Sequence, residues 1–200
     1  MRAPGDDRPD PLPIPEKYAR RQGQLNAQGI EALKLFVQEG GTIIAIGSSA
    51  TQAISAFGLP LGNHLVKADG CPVQRNEYYV PGSVLRVAVD PKNPVAHGYD
   101  DSVDIFFDNN PVWKFTSASP ANVRSVAWFP TAEPLRSGWA WGQKFLDKGI
   151  EMAEANVGAG RVFLFGNELL FRSQPHATYK FFFNALYLSV APDLKAGAGQ

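Results

Sequence analysis

Cysteine is nearly absent from this sequence. Cys71 stands alone among 200 residues, so no internal disulfide can form and no cysteine-based zinc site can be assembled within the chain. Net charge is lacking too. Lys and Arg number 19 against 19 for Asp and Glu, and no segment gathers basic residues and aromatics into a phosphate-tracking stripe. Nucleic acid and anionic membrane are therefore not expected partners. No apolar run reaches the roughly 18 residues of a membrane span. The opening MRAPGDDRPDPLPIP has no apolar centre, so no signal peptide is read there. The histidines are three, His64, His97 and His176, and none has the H-x-x-E or H-E-x-x-H spacing. A zinc ion bound within the chain is not expected, and no cofactor is implied.

What is present suits one packed core. Hydrophobic residues make up 44% of the chain, enough for a single domain. A Pro-rich, charged lead over residues 1–15 reads as extended or disordered, a single α/β domain spans 16–191, and a Gly/Ala tail closes the chain at 192–200. The organising stretch is LFVQEGGTIIAIGSSATQ, residues 35–52. Apolar positions from Ala27 recur at helical spacing up to Gly40-Gly41; an apolar, β-branched strand Thr42–Ile46 follows, and Gly47-Ser48-Ser49-Ala50 turns into a second helix. Such a strand is expected in a largely parallel sheet with helices on both faces, and ligands and nucleophiles sit at its carboxyl end.

Further along, residues 61–80 read as a long connection, and 84–89 (VLRVAV) as a strand. Residues 103–107 and 112–115 read as short strands joined hairpin-fashion by Asp108-Asn109-Asn110-Pro111, and 123–129 as another. Residues 150–157 read as a short strand or turn before Gly158-Ala159-Gly160, then RVFLF at 161–165 as a strong strand. A closing helix is expected over 174–190. His64 and His97 fall in expected surface loops.

Candidate chemistry concentrates at the strand end. Ser48 or Ser49 could act as an elbow nucleophile, with Glu168 and His176 completing a hydrolase, but the G-x-S-x-G spelling is absent. The plainer reading is a small-residue turn capping the next helix. Glu168 lies at the same sheet end as the elbow if the two strong strands are parallel. Arg136, Trp139 and Trp141, in LRSGWAWGQ, could stack on a sugar or peptide ring or serve as a packing lid. Asp100, Asp101, Asp104 and Asp108 lack the calcium-loop order and read as a solvated acidic face.

The blocks PIPEKYARRQGQLNAQGIEALKLFVQEGGTIIAIGSSA, EYYVPGSVLRVAVDPKNPVAHGY, LRSGWAWGQ and VGAGRVFLFGNELLFRSQPHATYKFFFNALYLS resemble the C-terminal domain of large bacterial zinc carboxypeptidase-like proteins of the carboxypeptidase A superfamily. The similarity covers about residues 13 to 190. It implies a class I glutamine amidotransferase-like, flavodoxin-like fold whose enzymes carry cysteine at the elbow and a His-x-Glu pair after the last core strand. Here the elbow reads Gly47-Ser48-Ser49, and the segment resembling His-x-Glu reads Gly166-Asn167-Glu168.

With neither nucleophile nor base in place, the resemblance implies a degenerate site and no enzyme. The expected function is that of an accessory domain, self-associating or supporting a peptidase module, and the resemblance implies an exported parent. The zinc-binding domain and the family's opening strands are missing from this chain, so Thr42–Ile46 is expected to present an unpaired edge or an uncovered apolar face, and the chain to self-associate. Alternatives are the serine hydrolase above and a sugar- or peptidoglycan-fragment-binding module built on Arg136, Trp139 and Trp141.

Overall fold

The computed structural model describes residues 13–19, 21, 23, 25–117 and 120–191. The lead up to residue 12 and the tail from 192 lie outside them. Residues 13–15 are exposed and without regular structure. A single-turn helix α1 (Glu16–Ala19) follows, in a region whose polarity predicts none. Helix α2 (Ala27–Gln38) begins where Asn26 Oδ1 accepts the Gly29 N–H at 2.8 Å, a side-chain cap for an otherwise orphaned donor. It ends before Gly40-Gly41 and leads into β1 (Thr42–Ile46) and α3 (Ser48–Phe57), as the sequence predicts.

The remaining strands are β2 (Leu61–Asn63), β3 (Ser83–Val89), β4 (Ser102–Phe107), β5 (Trp113–Phe115), β6 (Val123–Trp128), β7 (Leu135–Ser137), β8 (Ile150–Val157) and β9 (Gly160–Phe165), and α4 (Tyr179–Val190) closes the fold. The described residues form a mixed sheet of nine strands in the order β1-β9-β8-β6-β3-β4, with β7 on β3 and the β2–β5 pair attached to β8.

The expectation of a mostly parallel sheet is not met. Among the described residues β1 and β9 pair in parallel, and the other strand pairings are antiparallel. The cause is local: β8 and β9 are separated only by Gly158 and Ala159, with Val157 opposite Gly160, and a two-residue link can join strands only as a hairpin. Residues 150–157 are thus a full strand rather than a turn. Nor do β4 and β5 form a hairpin, since β4 pairs with β3 and β5 with β2 and β8. Asn109 diverts the chain between them: its N–H donates to Val80 O, and its Oδ1 accepts from Val80 N, both at 2.9 Å.

The closing helix starts at Tyr179 rather than 174. Arg172 and Ser173 take positive φ (47° and 56°), which L-residues adopt reluctantly. Short 3₁₀ turns at Phe171–Ser173 and His176–Thr178 replace the expected first turns. Thr178 Oγ1 then donates to Leu169 O at 2.6 Å, tying this junction to the end of β9.

Alternation along β9 divides the core. Val162 and Leu164 pack with Val37, Ala45, Ala50 and Ile54 under α2 and α3, while Phe163 and Phe165 pack with Phe181 and Ala185 of α4 on the other face. Burying each of these phenylalanines contributes about 1.5–3 kcal/mol. β1 stands at the end of the sheet with one strand neighbour among the described residues. The helices flanking it leave Leu35, Phe36, Phe183, Leu186, Tyr187 and Val190 exposed.

Candidate functional site

Parallel pairing of β1 and β9 brings their carboxyl ends together. The Gly47 N–H donates to Phe165 O at 2.8 Å, docking the elbow onto β9. A cleft of about 370 Å³ opens there, lined by Ile46, Gly47, Ser48, Glu168, Leu170, Phe171 and Arg172. Ser48 and Glu168 therefore do share one site. Ser49 and His176 are not among the lining residues; His176 Nε2 lies 3.0 Å from Ser173 O, and its ring packs 5.2 Å from Tyr179.

The strained position of the elbow is Gly47, with φ 62° and ψ −134°. That backbone region is nearly glycine's own, and it is where a strand-to-helix elbow holds its nucleophile. Here the residue has no side chain. Ser48 and Ser49 follow as exposed residues in the first turn of α3. The small-residue turn does cap the next helix: Gly47 is its N-cap, and no side chain makes a cap bond there.

The position after β9 is closed to a base. A Cβ on Gly166 would stand 2.4 Å from Pro111 O, 2.9 Å from Glu151 Oε1 and 3.0 Å from Glu151 O. Backbone oxygens cannot yield as a flexible side chain can, so no imidazole fits without rearrangement of the segment around Pro111. Gly166 is further held by its N–H, which donates to Glu151 O at 2.8 Å.

Behind the cleft lies a polar set that the sequence pattern conceals. Glu151, on β8, and Asn167 are both fully buried. Both carboxyl oxygens of Glu151, both amide atoms of Asn167 and the Tyr78 hydroxyl lack a well-formed hydrogen-bond partner among the described residues. Burial pushes the Glu151 carboxyl well above the usual carboxylate range, opposed in part by the Asn167 backbone N–H that points at it. Burial, and then the Glu151 charge, push the Tyr78 phenol up as well. His64 lies in a loop, just after β2, as expected, but is half-buried there; its Nε2 lies 3.0 Å from Asp147 O, and burial lowers its pKa.

A second site surrounds the tryptophans. Trp139 and Trp141 are each 53% exposed, with rings 11° from parallel and centroids 6.5 Å apart. Tyr79 meets Trp139 edge-on at 6.0 Å and carries the Arg75 guanidinium 4.4 Å above its own ring. Trp141 is fixed twice: its backbone pairs with that of Tyr79, and its indole N–H donates to Asn76 O at 2.9 Å. Beside it is a cleft of about 580 Å³ lined by Asn76, Glu77, Ala132, Glu133, Ala140, Trp141, Gly142, Gln143, Lys144 and Phe145. Arg136 stands apart from this lining and faces Asp104 at 3.7 Å. Asp104 also binds Arg86 at 2.8 Å, so this part of the acidic face is paired.

Among the described residues, no group of three or more His, Cys, Asp or Glu side chains could hold a metal ion. No helix among them is long and apolar enough to cross a membrane.

No family model matches the sequence. No curated protein matches it either. Solved structures with a similar arrangement include a cytoplasmic protein of Salmonella typhimurium (15% identity, TM-score 0.46, covering 87% of this chain and 64% of that one). Others are a ThuA-like protein of Bacteroides uniformis (12%, 0.46, 86% and 68%) and the β-galactosidase of Bacillus circulans (10%, 0.48, 82% and 20%). The chain spans about two thirds or less of the length of the first of these.

Proposed function

We propose that this chain is a non-catalytic interaction domain of amidotransferase-like, flavodoxin-like type, akin to the C-terminal domains of zinc carboxypeptidase-like proteins, and that it pairs with a second copy of itself through β1. The observation that carries this reading is the open edge of β1. By its register with β9, and with Gly47 N–H and Gly41 O engaged by that strand, residues 41, 43, 45 and 47 turn their backbone groups inward. The N–H and C=O of Thr42, Ile44 and Ile46 face outward.

The strand itself carries nothing that discourages pairing. Thr42–Ile46 contains no charge, no proline and no bulge. On its two sides stand the exposed Leu35 and Phe36 of α2 and the exposed Leu186 and Tyr187 of α4, apolar area that an antiparallel β1–β1 pairing about a two-fold axis would cover. With a formal net charge of zero, no long-range repulsion opposes the encounter. The degenerate elbow supports a role without catalysis, since Gly47 offers no nucleophile and Gly166 has no room for a base.

Gel filtration with light scattering tests this directly. The protein is expected to run as a concentration-dependent dimer, and the Leu35→Glu/Tyr187→Glu variant, altered only at exposed positions, as a folded monomer. A wild-type protein that stays monomeric at the highest attainable concentration would overturn the self-pairing, and a dimer indifferent to both substitutions would move the interface elsewhere. For the catalytic alternative, Ser48→Ala/Ser49→Ala is expected to leave turnover of generic ester and peptide substrates at background. Measurable wild-type hydrolysis abolished by the double substitution would restore the serine hydrolase.

A further inference from the structure

We infer that the cleft beside Trp141 binds a pyranose ring of a neutral glycan. This site is carried by different residues from those of the β1 edge: β7, which leads into Trp139 and Trp141, pairs with β3 toward the far end of the sheet order from β1.

Rigid, half-exposed aromatic faces are the first requirement for stacking on the C–H face of a sugar ring. The half-exposed Trp141 indole, which lines the cleft, meets it, and its N–H donates to Asn76 O, which fixes the ring; Trp139, near-parallel to it at 6.5 Å, stands outside the lining. The second requirement is a hollow of suitable size. About 580 Å³ falls inside the ~300–1,000 Å³ typical of small-ligand sites. The third is a rim of fixed hydrogen-bonding groups for hydroxyls. Gln143, which lines the cleft, is oriented because its Oε1 accepts the Leu135 N–H at 3.0 Å, and its amide N–H₂ is not spent on that bond. Glu77 is oriented by Lys67 and by the Gln74 N–H at 3.1 Å. Glu133 and Lys144 complete the rim.

Charge selects against the other ligands that aromatic faces attract. Glu133 opposes a phosphate-bearing nucleotide, Glu77 being paired with Lys67 at 3.2 Å, and Arg75 over Tyr79 with Lys144 in the rim opposes a quaternary ammonium ion. A neutral polyol bearing an apolar ring face satisfies both the Trp141 indole and the mixed rim.

The test is titration with cellotetraose and with the β-1,4-linked tetramer of N-acetylglucosamine, followed by tryptophan emission and calorimetry, with choline and AMP as counter-probes. Saturable binding of at least one oligosaccharide is expected. Trp141→Ala should weaken it about tenfold or more, equivalent to about 1.4 kcal/mol. Glu133→Ala, a surface change that leaves the backbone untouched, should weaken it measurably with unchanged circular dichroism, and Ser48→Ala should not alter it. No response to either oligosaccharide up to solubility, a response confined to choline or AMP, or undiminished affinity in both Trp141→Ala and Glu133→Ala would each overturn the inference.

Discussion

Gly166→Ala is expected to be strongly destabilising, at the top of the ~1–3 kcal/mol range of overpacking or beyond it. The reason is the identity of the atoms that the new methyl would meet. Pro111 O at 2.4 Å and Glu151 O at 3.0 Å are backbone, and Glu151 O is already fixed by the Gly166 N–H across the β8–β9 ladder. Moving them means shifting either the segment before β5 or the start of a central strand. Gly47→Ala is the informative companion. Its nearest obstacle, Gly166 O, is 4.0 Å away, so only the strain of φ 62° is incurred, a cost of about 1–3 kcal/mol. Chemical denaturation of both variants is expected to rank Gly166→Ala as clearly the worse. Equal losses, or a tolerated Gly166→His, would show that the site after β9 has room for a base, and the non-catalytic reading would lose one of its supports.

Glu151→Met is expected to raise stability, and to do so most at alkaline pH. An unpartnered polar group in the core costs about 1–3 kcal/mol, and neither carboxyl oxygen of Glu151 has a well-formed partner among the described residues. The sign of the pH dependence follows from linkage. The folded-state pKa lies above that of the unfolded chain, so the folded protein holds the proton more tightly. The contribution of the neutral acid is fully present below the ordinary carboxylate range and is lost as pH rises through the folded pKa. Wild type should therefore weaken from mildly acidic toward alkaline pH, and Glu151→Met should flatten that slope and raise Tm by roughly 2–4 °C per kcal/mol gained. An unchanged slope would mean that Glu151 is ionised in the fold, held by a group other than those around it here.

The same glutamate explains why part of the architecture is hard to read from sequence. Thr42–Ile46, Ser83–Val89 and Gly160–Phe165 announce themselves as strands because their residues are mostly apolar and rich in β-branched or aromatic side chains. Ile150–Val157 does not, since IEMAEANV carries two acids; one is fully buried, and the other is held by Asn93 Nδ2 at 2.9 Å. Missing that strand means missing that Gly158-Ala159 is a hairpin link, and so misjudging the direction of most of the sheet. The meeting of Ser48 and Glu168 is legible, because two strands of the same direction end at the same place. The lack of space at Gly166 is not, because the obstructing oxygen belongs to Pro111, far away in the chain. Trp139 and Trp141 stand out by spacing alone, whereas Tyr79 and Arg75 join them only through the backbone pairing of Tyr79 with Trp141.

The one-sided bonding of β1 should leave a signature in deuterium uptake. Amides of Ile43 and Ala45 are tied to β9, while those of Thr42, Ile44 and Ile46 look outward. Within five consecutive residues, slow and fast exchange should alternate with the period of the strand itself. Any chain that comes to lie along this edge would erase the alternation, and the amides that slow would mark the side from which it arrived.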